Sequence, residues 1–196
     1  MNRIRNLLVA NSDKLHHIVI AQYKRADYSI GEEENFHWAI VVLEKIAVGE
    51  EFKGPCYQVF DRHYNDERGI QWNLFNKPVS LDKTEKSLGG ISIGTIKRKD
   101  LDELDQILSN HLPVVKFAGW NCRDWVMEAI GLMKAKGWIP HEITEQAILL
   151  PALRAASAAS HEAKRPRIVL LEGGTTDTWR FGVNCASSSQ AQILES

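Results

Sequence analysis

Apolar residues recur along this chain in two rhythms, and the change from one to the other divides strands from helices. His16 to Tyr23 is a short dense run that ends at the charged Lys24, Arg25 and Asp27, and Phe36 to Leu43 is apolar at every position except His37. Runs of this length, bounded by polar residues, predict strands joined by a polar loop around Gly31 to Glu34. Alternate strand residues face opposite ways, so His37, Ala39, Val41 and Leu43 share one side while Phe36, Trp38, Ile40 and Val42 share the other. Both sides are apolar, which predicts a strand covered on both faces and a shielded histidine.

Gly49 and the Gly54-Pro55 pair lead into a third strand, Cys56 to Arg62, where Cys56, Gln58 and Phe60 alternate with Tyr57, Val59 and Asp61. From His63 to Gly90 only Trp72, Leu74 and Phe75 stand out among Asn, Asp, Gly, Pro and Ser, so this stretch reads as a long loop with at most one short strand. Gly89 to Gly94 reads as a turn entering a strand at Ile91 to Lys97. It lacks the strand-before, helix-after setting of a phosphate-binding loop.

The period then lengthens. Leu101, Leu104, Ile107 and Leu108 predict an amphipathic helix that closes near His111 and Pro113, and Cys122, Val126, Ala129, Ile130 and Met133 form the stripe of a second one. Asn121 is a good N-cap for that second helix, Asp124 stands where a capping box has its acid, and Gly137 supplies a stop. Beyond Pro151 the chain turns to Ala, Ser, Lys and Arg, with a brief apolar Ile168 to Leu171, a Gly173-Gly174 break and a Ser-rich end. The expected architecture is α+β, an antiparallel sheet packed against the helix that begins at Cys122. It comprises one domain over residues 1–150 and a peripheral, partly disordered extension over 151–196.

Composition narrows the classes of function. The 196 residues are 44% hydrophobic with a formal net charge of -1, enough for one ordinary core and too balanced for a strong nucleic-acid binder. The one dense basic run, Lys164-Arg165-Pro166-Arg167, reads as a solvated linker. No stretch approaches the ~20 apolar residues of a membrane span, and the start of the chain is too short for a secretory signal, so a soluble, cytoplasmic protein is expected. Cys56, Cys122 and Cys185 are odd in number and widely spaced, which fits reduced thiols rather than disulfides or a zinc site. His16 and His17 are adjacent on a strand and face opposite ways, so no metal site follows, and no cofactor is expected.

The chemistry rests on two residues. A cysteine in the first turn of a helix has its thiolate stabilised by the helix dipole, and a histidine within reach stabilises it further. Taken singly, Cys122 and His37 each read more simply as core residues; together they form a nucleophile and base. A third group usually orients such a base, and Gln58, Asp61 and His63 can all accept a hydrogen bond from imidazole. Trp38, Trp120 and Trp125 read as core packing around the pair.

Two segments carry a resemblance to a known family. His37-Trp38-Ala39-Ile40-Val41-Val42 and Asn121-Cys122-Arg123-Asp124-Trp125-Val126 resemble the histidine strand and nucleophile motif of the permuted papain-like thiol enzymes, in particular the lecithin retinol acyltransferase-like phospholipases and acyltransferases. The order, histidine strand before cysteine helix, is the permuted one. The resemblance implies that Cys122 is the nucleophile and His37 the base, with an acyl-cysteine intermediate. The family's second histidine falls near Phe60, so Asp61 or Gln58 would take its place, and its Glu-His after the cysteine is Arg123-Asp124 here. Trp120 to Val126 is also similar to a Trp-Asn-Cys-x-x-Trp-Val pattern of short fungal proteins of unassigned activity.

The expected function is therefore a cysteine-dependent hydrolase or acyltransferase acting on a small-molecule or acyl substrate, an ester, thioester or amide. The alternatives are a non-catalytic papain-like binding module, or a soluble enzyme of secondary metabolism acting on a biosynthetic intermediate. Neither a nucleic-acid partner nor an integral membrane segment is expected.

Overall fold

A computed structural model describes residues 12–25, 28–47, 49–171 and 181–182, the last two by their backbone alone. Cys185, the apolar start of the chain, the Gly173-Gly174 break and the Ser-rich end lie outside the described residues. The strands are β1 (Leu15–Tyr23), β2 (His37–Leu43), β3 (Lys53–His63), β4 (Ile70–Ser80), β5 (Ser87–Lys97), β6 (Ile168–Leu171) and β7 (Phe181–Gly182). The helices are α1 (Leu101–Asn110), α2 (Cys122–Lys134) and α3 (Gln146–Ala163).

The strands form one sheet in the order β4-β3-β2-β1-β5-β6-β7. The architecture is α+β, but the sheet is mixed and not purely antiparallel, because β6 returns through α3 and pairs parallel to β5. A helical crossover is what brings a strand back in the same direction. No helix among the described residues is long and apolar enough to cross a membrane.

The two-sided character of β2 sets the layers. Trp38, Ile40 and Val42 face a large core built with Leu104 and Leu108 of α1, the stripe of α2, and Leu149, Leu153 and Ala156 of α3. Ala39, Val41 and Leu43 face a smaller core with Val19, Ala21, Cys56, Phe52 and Leu81. The α2 stripe packs as its spacing predicts: Cys122, Val126, Ala129, Ile130 and Met133 are all buried, with Trp125.

Two expectations are corrected. The stretch from His63 to Gly90 is not a long loop, since β4 pairs with β3 along its whole length from Lys53 opposite Ser80 to His63 opposite Ile70, and β5 begins at Ser87. As the edge strand, β4 has no residue buried outright; its alternation is confined to Ile70, Trp72 and Leu74, and Asn76, Lys77 and Pro78 hide the rest of the strand.

The boundary at 150/151 falls inside α3, and the residues beyond it are not peripheral. Leu149, Ala152, Leu153, Ala156, Ser157 and Ser160 of α3 are buried. The Ala and Ser composition reflects close packing on the sheet: Gly89 adopts φ 74° beneath this helix, and a Cβ there would sit 2.1 Å from Arg167 O and 2.5 Å from Ser160 Oγ. Nor is the basic run simply solvated. Arg165 Nη2 donates to Asp82 Oδ1 and to Glu50 O, each at 3.0 Å.

Candidate active site

The first turn of α2 is over-determined. Asn121 Oδ1 accepts from Arg123 N at 3.0 Å while Asp124 Oδ2 accepts from Asn121 N at 2.9 Å, completing the capping box. Gln146 Nε2, at the start of α3, donates to Asp124 Oδ1 at 2.8 Å, so α3 braces the cap. Arg123 Nη1 donates to Phe36 O at 3.2 Å and ties the helix start to the residue before His37. Trp120 meets Trp72 of β4 edge-on, with centroids 5.1 Å apart, and its Nε1 donates to Glu128 Oε1 at 2.9 Å.

His37 is held as firmly from the other direction. It opens β2 opposite Tyr23, the last residue of β1, and their ring centroids lie 6.0 Å apart. The turn just before it, Glu33–Asn35, is pinned by Arg154 of α3, whose Nη2 donates to Glu34 Oε2 at 3.1 Å and whose Nε lies 3.4 Å from Glu33 Oε2.

Cys122 belongs to the core face that carries the helices, whereas His37 shares parity with the opposite face. They meet because β2 and β3 pair at only two positions, Ile40 with Tyr57 and Val41 with Cys56. Beyond those pairs the ladder stops, and α2 packs against both β2 and β3. There Cys122 hydrogen-bonds the His37 side chain and the backbone N–H of Trp38.

His37 Nε2 and Gln58 Oε1 are 2.6 Å apart. An amide oxygen only accepts, so Nε2–H donates to it and Nδ1 is the ring nitrogen left for the thiol. Of the three sequence candidates for this role the structure brings Gln58 to the imidazole. Asp61 Oδ2 instead accepts from His63 Nε2 at 2.8 Å, so those two partner each other. Phe60 faces outward, 42% exposed, and does not stand in for an orienting histidine.

Burial of Cys122 opposes a thiolate, but the hydrogen bond and charge of His37, the Trp38 N–H and the charge of Arg25 outweigh it and hold the thiol below its ordinary pKa. Burial likewise opposes an imidazolium at His37. The hydrogen bond and charge of Cys122, with Gln58, overcome that and the opposing Arg25, and raise its pKa. The opposite shifts are those of a thiolate-imidazolium pair. Cys56 behaves otherwise: burial pushes its thiol up to about 12, despite a hydrogen bond with Tyr23.

A model of one protein family matches residues 15–148, which span β1 to the start of α3 and contain Cys122, His37 and Gln58. The chain belongs to the family of unknown function DUF6914. Comparison with curated proteins and with solved structures gives no match. In this DUF6914 chain the group that sequence reading named only as a charged boundary of the first strand is Arg25, whose charge contributes at Cys122 and His37. Tyr23, two residues earlier, pairs with His37, and that pairing of β1 with β2 is not contained in any local stretch of sequence. A cavity of about 450 Å³, lined by His16, Glu44, Lys53, Tyr57, Asp102 and Asp105 among others, lies at the other end of β2 and does not include the pair. No cluster of three or more His, Cys, Asp or Glu side chains suited to a metal ion occurs among the described residues.

Proposed function

We propose that the chain is a cysteine-dependent hydrolase or acyltransferase built on a permuted papain-like plan. The observation that carries the reading is the relay Cys122, His37, Gln58, in which a helix-start thiol hydrogen-bonds an imidazole whose far nitrogen is engaged by an amide oxygen at 2.6 Å. A base oriented in this way presents one tautomer to the thiol.

In the reaction, Cys122 Sγ bonds to the carbonyl carbon of an ester, thioester or amide, and the oxyanion that forms is met by the N–H groups at the start of α2. The leaving group departs with the proton of the His37 imidazolium. Water or another acceptor then loses a proton to His37 as its oxygen or nitrogen bonds to the acyl carbon, and Sγ leaves as the thiolate. Leu112, Val114, Val115 and Phe117, each more than half exposed on the connection into α2, offer apolar surface to an acyl chain.

One observation favours a second reading. Cys122 is 0% exposed, as an inert core thiol or the relic in a binding module would be. A panel of chromogenic acyl esters and thioesters separates the two. The enzyme reading expects turnover, an acyl mass on the Cys122 peptide, and loss of both in Cys122→Ala. Turnover retained by Cys122→Ala overturns it, and no acyl-cysteine from any probe favours the binding module.

A further inference from the structure

We propose that Tyr23 is a positioning residue of the Cys122 site: its ring flanks the His37 imidazole from β1 and is tethered by the buried Cys56, so that Nδ1 stays turned to the thiol. The proposal rests on the thiol-enzyme reading above and gives a role to the second buried cysteine, which the reaction leaves unused.

The placement follows from the sheet. Tyr23 ends β1 and pairs with His37, the first residue of β2, so the two side chains are direct cross-strand neighbours on one face. Their ring centroids lie 6.0 Å apart at an interplanar angle of 44°, within the range of aromatic contact. On the other side of β2 is β3, which brings Gln58 Oε1 to 2.6 Å from His37 Nε2. The imidazole is thus met from both adjoining strands, by an amide that fixes Nε2 and by a ring that limits its choice of rotamers.

The backbone that carries Tyr23 is set from its other edge as well. There β1 pairs with β5, and the register shifts between Ala21 opposite Gly90 and Tyr23 opposite Ser87, which leaves β5 with one extra residue. A bulge of this kind raises the local twist and re-aims the side chains beside it, here at the strand end that presents Tyr23 to His37. Immediately beyond, Lys24 N donates to Lys86 O at 2.8 Å and closes the strand end onto β5.

The ring is held at its far end too. Tyr23 continues the face of Val19 and Ala21 and packs against the smaller core, to which Cys56 belongs. Its hydroxyl donates a hydrogen bond to Cys56 Sγ. Cys56 lies opposite Val41 in the β2–β3 ladder, and burial keeps it a neutral thiol. A buried sulfur that does not ionise is a poor nucleophile but a fixed acceptor for a hydroxyl.

Iodoacetamide labelling of Cys122 across pH, in the full chain, reads the positioning without any substrate. Tyr23→Leu keeps apolar bulk without ring or hydroxyl, and its labelling midpoint is expected to move up in the direction of His37→Ala, because an imidazole that swings away no longer supports the thiolate. On the best acyl probe the same variant is expected to lose on the order of tenfold in kcat, with KM within about twofold of wild type. Tyr23→Phe restores the ring without the tether and is expected to recover most of both, to within about threefold in kcat. Cys56→Ala, which removes the tether alone, is expected to match it.

A folded Tyr23→Leu protein with the midpoint and kcat of wild type, while His37→Ala shifts the midpoint, overturns the assignment and leaves the thiol-enzyme reading standing. A midpoint moved by neither variant overturns both. Should Tyr23→Leu lack a cooperative urea transition, Tyr23→Phe and Cys56→Ala decide: a small upward shift shared by the two supports the tethered ring, and wild-type behaviour in both overturns it.

Discussion

His37 and Gln58 are joined at 2.6 Å across two strands whose ladder has already ended, with the last pairs at Ile40–Tyr57 and Val41–Cys56. The side-chain bond therefore joins β2 to β3 beyond their last ladder pair, at the ring that also hydrogen-bonds Cys122. Gln58 comes from β3, Cys122 from α2 and the histidine from β2, so three elements converge on one ring.

Removing the amide of Gln58 frees that ring. Gln58→Ala is expected to lower the Cys122-dependent rate by about 10- to 100-fold, mainly in kcat, with partial recovery in Gln58→Asn. Asp61→Ala, which touches the exposed His63 pair, is expected to stay within about threefold of wild type. Steady-state kinetics on the best acyl probe decide it, and a larger loss for Asp61→Ala than for Gln58→Ala refutes the assignment.

The opposed pKa shifts give a pH dependence of definite sign. The lowered Cys122 pKa means its thiolate persists as pH falls below the ~8.5 of a free thiol, so iodoacetamide labelling reaches its plateau early. The raised His37 pKa means the imidazolium survives to higher pH than usual, so turnover, which uses both charges, rises through the first pKa and falls through the second. In His37→Ala the main stabiliser of the thiolate is gone while burial remains, and the labelling midpoint moves up. A midpoint unmoved by His37→Ala, read by peptide mass spectrometry, contradicts the pairing.

The helix α3 is expected to be essential to the fold and to the site. A chain ending at residue 150 loses Leu153, Ala156 and the Arg154 contacts to Glu33 and Glu34, and is expected to show no cooperative urea transition. Gly89→Ala meets Arg167 O at 2.1 Å from a backbone at φ 74°. It is expected to cost roughly 2 kcal/mol or more. A truncated chain that unfolds cooperatively with the stability of the whole overturns this.

Local pattern was enough for what local forces decide. The apolar runs mark β1 and β2, the stripe from Cys122 to Met133 marks α2, and Asn121 with Asp124 marks its start, because strand alternation, helical period and capping act between residues close in the chain. The edge strand β4 escaped because it is half-solvated and its alternation stops after Ile70, Trp72 and Leu74, and α3 was obscured because much of its buried face is Ala and Ser, which look like linker composition until a sheet lies beneath them.

The site divides in the same way. His37 and Cys122 were legible singly, the first as a lone polar residue in an apolar strand and the second by its place at a helix start. Their meeting was decided by how α2 packs on β2 and β3, and the choice of Gln58 over Asp61 by the register of β3. These are long-range pairings. Their outcome depends on how all the strands and helices bury their surfaces together, and no short window of sequence contains that balance.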